Sequence, residues 1–216
     1  MNFTIIGERH SGTNFLQKTI EQNFDLSITW DYGFKHWMGF NDEKIKNANN
    51  TIFFCISRNV FDWCTAMHQE PHHVKHMKIK GKKQFLTETW HSEHISPTLG
   101  EIIEDRNYKT GKKYKNIFEL RSMKLKYMHS VKRIQNNTYN LTYENLCDNY
   151  DNEINKISEV CNLKKIEHVT KLVVKKSQPS KNLLRYELVD LITTNTDWEA
   201  EELSLIHISE PTRLGF

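Results

Sequence analysis

Residues 2–15 read NFTIIGERHSGTNF, and this stretch decides the fold. Phe3, Thr4, Ile5 and Ile6 form an apolar, β-rich run with the length of a buried strand. A loop follows, Gly7-Glu8-Arg9-His10-Ser11-Gly12-Thr13. Beyond it Phe15, Leu16, Thr19 and Ile20 fall on one helical face. Strand, glycine-punctuated loop and helix together build an anion site. Glycines let the backbone approach the anion, successive N–H groups point inward, and the helix N-terminus adds partial positive charge.

Working outward, Leu26 to Trp30 alternates as a strand does, and Thr51 to Ser57 is apolar almost throughout, as a central parallel strand should be. Thr138 to Tyr143 is the next strand. Helices are expected at about 42–50, 61–68, 84–90, 117–134, 151–161, 165–173 and 183–194, and loops at 72–83, 96–113 and 175–182. Strands alternating with helices predict a three-layer α/β/α domain with a mostly parallel central sheet. Ligands bind such sheets at the carboxyl ends of the strands, where the first loop, Lys35-His36 and Arg58 all fall.

The chain has 216 residues, enough for one α/β domain, and its 38% hydrophobic and 26% charged content is that of a globular chain. A net charge of +3 is too small to argue for a nucleic-acid partner. Cys55, Cys64, Cys147 and Cys161 lack CxxC spacing, which fits free thiols in a reducing compartment. No apolar run approaches the ~20 residues that span a bilayer. The first strand begins at once, leaving no room for a signal peptide, so no membrane association and a cytoplasmic location are expected. Leu203 to Arg213 resembles the in-frame translation of a sequencing-library adapter. The domain is accordingly read as residues 1–202, with 203–216 as an artefactual tail.

Gly7 and Gly12 have the separation of the nucleotide-binding P-loop, but Thr13 stands where that loop has its phosphate-reaching Lys. The cations, Arg9 and His10, come before the second glycine. Hydroxyls with early cations suit a charged group transferred without a metal. A second segment, Ser57-Arg58-Asn59-Val60-Phe61-Asp62, ends the central strand on an Arg, whose planar fork suits phosphate oxygens. A third is Phe34-Lys35-His36, with a side chain whose ordinary pKa suits a general base. A fourth is Thr142-Tyr143-Glu144-Asn145-Leu146.

These four segments, in this order, resemble the sulfotransferase family, over roughly the first two thirds of the chain. His10-Ser11-Gly12-Thr13-Asn14-Phe15 is similar to that family's 5′-phosphosulfate loop, and the second segment to its 3′-phosphate motif. The resemblance implies a P-loop NTPase-like sulfotransferase fold and transfer of a sulfuryl group from 3′-phosphoadenosine 5′-phosphosulfate (PAPS) to a hydroxyl or amine of a small-molecule or carbohydrate acceptor. It implies that Ser11, Gly12, Thr13, Asn14 and Phe15 bind the donor with Arg58, Thr65 and Tyr143. It implies His36 as the base, with Arg9, His10 and Lys35 as catalytic cations and no metal. The chain departs at His10, Val60 and Ala66, where the family has Lys or Arg, Pro and Ser. Its late basic loop has no clear counterpart beyond Lys175, Lys176, Lys181 and Arg185. Two other readings remain: a nucleotide kinase of the same fold, and a non-enzymatic metal site among His68, His72, His73, His76, His91 and His94.

Overall fold

The computed structural model of the chain describes residues 1–74, 81–95, 102–167 and 186–206. In chain order the elements are β1 (Asn2–Gly7), α1 (Thr13–Asn23), β2 (Ser27–Ile28), α2 (Asp42–Lys46), β3 (Thr51–Ser57), α3 (Val60–Gln69) and α4 (Lys82–Thr87). There follow β4 (Ser92–Ile95), β5 (Ile102–Asp105), α5 (Ile117–Ile134), β6 (Thr138–Thr142), α6 (Tyr143–Asp148), α7 (Tyr150–Val160), α8 (Tyr186–Asn195) and α9 (Trp198–Ile206).

Strand β3 is buried along its whole length, and its side chains alternate between two cores. Ile52, Phe54 and Ile56 pack with Phe3 and Ile5 beneath Leu16 and Ile20 of α1 and Ile154 and Ile157 of α7. Phe53 and Cys55 face the other way, with Ile6, against Ile45 of α2, Leu125 and Met128 of α5 and Ala200 of α9. The sheet is thus the middle of three layers, in the order β2-β1-β3-β6 with every pairing parallel. Gly7 pairs with Ile56 and Ser57 with Thr142, so the carboxyl ends of β1, β3 and β6 lie level. The three segments that follow therefore emerge side by side.

A third apolar cluster, around Trp63, Phe85, Trp90 and Tyr114, joins α3, α4, the start of α5 and α8. Beside it β4 and β5 form an antiparallel pair; β5 falls within the loop expected at 96–113, and β4 within residues 91–95, for which the sequence reading expects no element. The helix expected from Lys165 is absent at its start: Lys165 pairs with Phe24 in an antiparallel bridge, and most of 165–173 lies outside the described residues. Helix α9 is a further difference, since it runs through the expected domain end at Glu202 to Ile206. Lys175, Lys176, Lys181, Arg185, His76 and residues 207–216 also lie outside the described residues. Among the described residues no helix is long and apolar enough to cross a membrane.

Candidate functional site

The site grows from the end of β1. A Cβ on Gly7 would stand 2.7 Å from Ile56 Cγ2 and 2.9 Å from Thr13 Cγ2, so only glycine lets α1 begin this close to β3. Gly12 has φ +88°, and a Cβ there would stand 2.3 Å from Tyr143 Cδ2. Helix α1 starts at this glycine with no side-chain cap and no acidic residue in its first turn. By contrast Asn59, Asn116 and Thr142 cap α3, α5 and α6. The α1 dipole therefore meets no compensating acid within its own first turn. Of the loop amides, that of Ser11 is already spent on the Glu8 carbonyl at 3.2 Å.

Two hydrogen bonds fasten the third segment to the first. The Gly7 N–H donates to the Lys35 carbonyl at 3.0 Å, and His36 Nδ1 donates to the Gly7 carbonyl at 2.7 Å. That bond puts the proton on Nδ1 and leaves the lone pair on Nε2. Burial and the neighbouring Arg9 charge push the His36 pKa down to about 3 against the attraction of Glu8. Lys35 Nζ donates to Asn14 Oδ1 in the first turn of α1 and lies 5.8 Å from the Trp30 ring centre. Burial lowers its pKa.

On the other side of the loop, Arg58 Nη1 donates to the His10 carbonyl at 3.1 Å, and the guanidinium covers the Tyr143 ring at 4.9 Å. Phe15 meets Tyr143 edge-on with centroids 6.3 Å apart. The Arg58 carbonyl accepts from Arg121 Nη2 at 2.6 Å. Loop, Lys35-His36, Arg58, Tyr143 and Phe15 are thus one constellation at one edge of the sheet.

Three expected site residues stand elsewhere. Arg9 is 2% exposed and lies beneath the loop. Its Nη1 pairs with Glu8 Oε1 at 2.8 Å and lies 3.6 Å from Asp105 Oδ2, and its Nη2 donates to Ser92 Oγ. Lys124 Nζ closes the cluster, 2.8 Å from Glu8 Oε2 and 2.5 Å from Asp105 Oδ2, while donating to the His36 carbonyl at 2.6 Å. Burial alone would raise the Glu8 carboxyl, but Lys124 and Arg9 together hold it well below the ordinary carboxylate range. Thr65 donates its hydroxyl to the Phe61 carbonyl at 2.9 Å and lines a separate cleft with His68, Leu188 and Ile192. His10 turns its ring outward, where Nε2 donates to the Glu70 carbonyl at 2.6 Å.

Ser92, Asp105 and Lys124 escape a reading of the sequence motifs. Lys124 alone leaves a sign, because it sits on the apolar stripe of α5 between Leu120 and Met128, where a lysine demands a buried partner. As for the histidines of the alternative metal reading, α3 ends at Gln69 before Pro71, so His68 and His72 share no helix face. His68 packs edge-on against Phe85 instead.

Fold and site together define an α/β protein that presents a glycine-bounded loop and an uncapped helix N-terminus at the carboxyl edge of a parallel sheet. The chain matches no protein-family model, no curated protein and no solved structure.

Proposed function

We propose that the protein is a sulfotransferase-like enzyme that moves a sulfuryl group from PAPS to a hydroxyl or amine acceptor. One observation carries this reading: the level carboxyl ends of β1, β3 and β6 bring an uncapped helix N-terminus, an arginine and two aromatic rings to one edge, where hydrogen bonds to Gly7 hold Lys35 and His36 beside them. The residues fit the donor in kind. The α1 N-terminus suits its 5′-phosphosulfate, Arg58 its 3′-phosphate, and Tyr143 with Phe15 its purine. Lys35 supplies at α1 the cation that the loop lacks at Thr13, and this favours a transferase of this kind over a loop-lysine kinase.

In the reaction the acceptor oxygen or nitrogen forms a bond to sulfur as the bond from sulfur to the bridging phosphate oxygen breaks. Lys35 and the α1 amides stabilise the charge that develops on the leaving phosphate. His36 Nε2 takes the acceptor proton. With its pKa near 3 in the resting protein, His36 takes that proton only once sulfur bonding has acidified it. Arg9 has no part in the chemistry in this scheme; it supports the loop from below.

The test is calorimetry with adenosine 3′,5′-bisphosphate. Arg58→Ala is expected to weaken it by ~30- to 150-fold, the worth of a charge-assisted bidentate contact of ~2–3 kcal/mol. Adenosine 5′-phosphate, lacking the 3′-phosphate, should bind far more weakly than the bisphosphate. Equal binding of the two would sink the proposal, and ATP–Mg²⁺ binding in its place would favour a kinase.

A further inference from the structure

The outward turn of His10 leads to a second site at the rim of the loop. Residue 10 has φ +59°, a left-handed conformation that strains a residue with a Cβ and is kept where surroundings enforce it. Residue 10 lies inside the turn closed by the Ser11 N–H on the Glu8 carbonyl, Arg58 holds its carbonyl, and its ring Nε2 donates to the Glu70 carbonyl, at the end of α3 and 60 residues away in sequence. His72 stacks on His10, centroids 5.1 Å apart and rings inclined by 12°. His72 Nε2 lies 3.5 Å from Glu70 Oε2. One ligand atom from each of His10, Glu70 and His72 lies within 4.8 Å of the other two.

We infer that His10, His72 and the Glu70 carboxylate form a binding site for a late first-row divalent cation of the zinc class. Two imidazoles and one carboxylate are the donor set of an open, four-coordinate site, and the fourth position falls to solvent. Imidazole donors exclude magnesium and calcium, which take oxygen ligands. In a tetrahedron with ~2.0–2.1 Å bonds the ligand atoms stand ~3.4 Å apart. The His72–Glu70 separation of 3.5 Å already has that spacing, and rotation of exposed side chains brings in His10. The bond from His10 Nε2 to a backbone carbonyl is the kind that orients a metal-binding imidazole. A cation here would clasp the loop to the end of α3. The site shares no ligand with the constellation proposed to bind the donor, and it stands or falls independently of that reading.

The test uses Zn²⁺ and Co²⁺ added to the whole chain. The protein has 11 histidines, and a second group of His91, Glu93 and Glu104 also lies within ligand reach, so variants must separate the sites. Zinc is expected to bind with one tight equivalent by calorimetry. Cobalt is expected to give the intense visible bands of four-coordination. His10→Ala and His72→Ala should each weaken the tight equivalent by more than about tenfold, at least the cost of losing a supporting contact to a ligand. His91→Ala should leave it unchanged. Melting curves without metal check that each variant is folded, and Glu70→Gln repeats the test with an exposed, isosteric change. Unchanged affinity in the first two variants, or loss of the tight equivalent in His91→Ala, overturns the inference.

Discussion

Arg9 shows how one side chain changes meaning once its surroundings are known. Between Glu8, Asp105 and Ser92 it is a buried countercharge. Removing one member of such a cluster strands the others, so Arg9→Ala should cost ~3–5 kcal/mol in urea unfolding. A stable but inactive variant would return Arg9 to the chemistry. His36 carries the second residue-scale expectation. Its folded pKa near 3 lies below the ordinary 6.5, so the unfolded chain takes the proton first. The stability this difference contributes is whole above pH 6.5 and drains away as pH falls toward 3. By NMR the His36 ring should therefore hold its neutral shift down to pH 5. A midpoint near 6.5 would mean that the ring is not buried beside Arg9.

Helix α1 trades stability for its open end. Asn14 sits in its first turn, exposed, with its side-chain oxygen held by Lys35. Asn14→Asp is nearly isosteric and puts an acid at the positive end of the dipole. The change should stabilise the fold by ~0.3–1 kcal/mol. It should also weaken adenosine bisphosphate binding by at least about tenfold, because the new carboxylate repels the phosphate and neutralises Lys35. Thermal melts and calorimetry on one preparation read both effects. Stabilisation without loss of binding would place the anion elsewhere. Helix α5 makes no such trade: Asn116 accepts from the N–H groups of Phe118 and Glu119, and no ligand role competes for its first turn.

At the scale of the whole molecule, α9 ties the end of the chain to the site. Glu201 accepts from Arg121 Nε and Nη2, at 2.5 and 2.7 Å, and Arg121 in turn holds the Arg58 carbonyl and covers the Trp63 ring. Asp197 adds Lys126 and Ser122, and Ala200 is buried against the sheet. A chain ending at Thr196 loses all of these and strands the Arg121 charge. Its melting temperature should fall by about 10 °C or more. A chain ending at Glu202 keeps every one of these contacts and should melt within a few degrees of the full length. Equal melting of all three would show that α9 contributes nothing to the fold.

Adjacent residues suffice for most of the elements. The apolar run of β3, the stripe of α5 and the glycine spacing of the first loop are properties of neighbours along the chain, so the parallel strands and the longer helices are legible in the sequence, while the short α6 and α9 are not. The meeting of loop, Lys35-His36, Arg58 and Tyr143 is legible too, because a parallel sheet delivers the ends of its strands to one edge. The β4–β5 pair is not legible, since a four-residue strand has too little pattern to stand out from loop. Nor is the fate of Arg9, whose partner Ser92 lies 83 residues on, or the depressed basicity of His36, which comes first from its burial and then from the buried Arg9 charge. Sequence determines which side chains carry charge. Which of those charges face water and which face each other is decided only by tertiary burial, because the cost of desolvation depends on every group packed around the site.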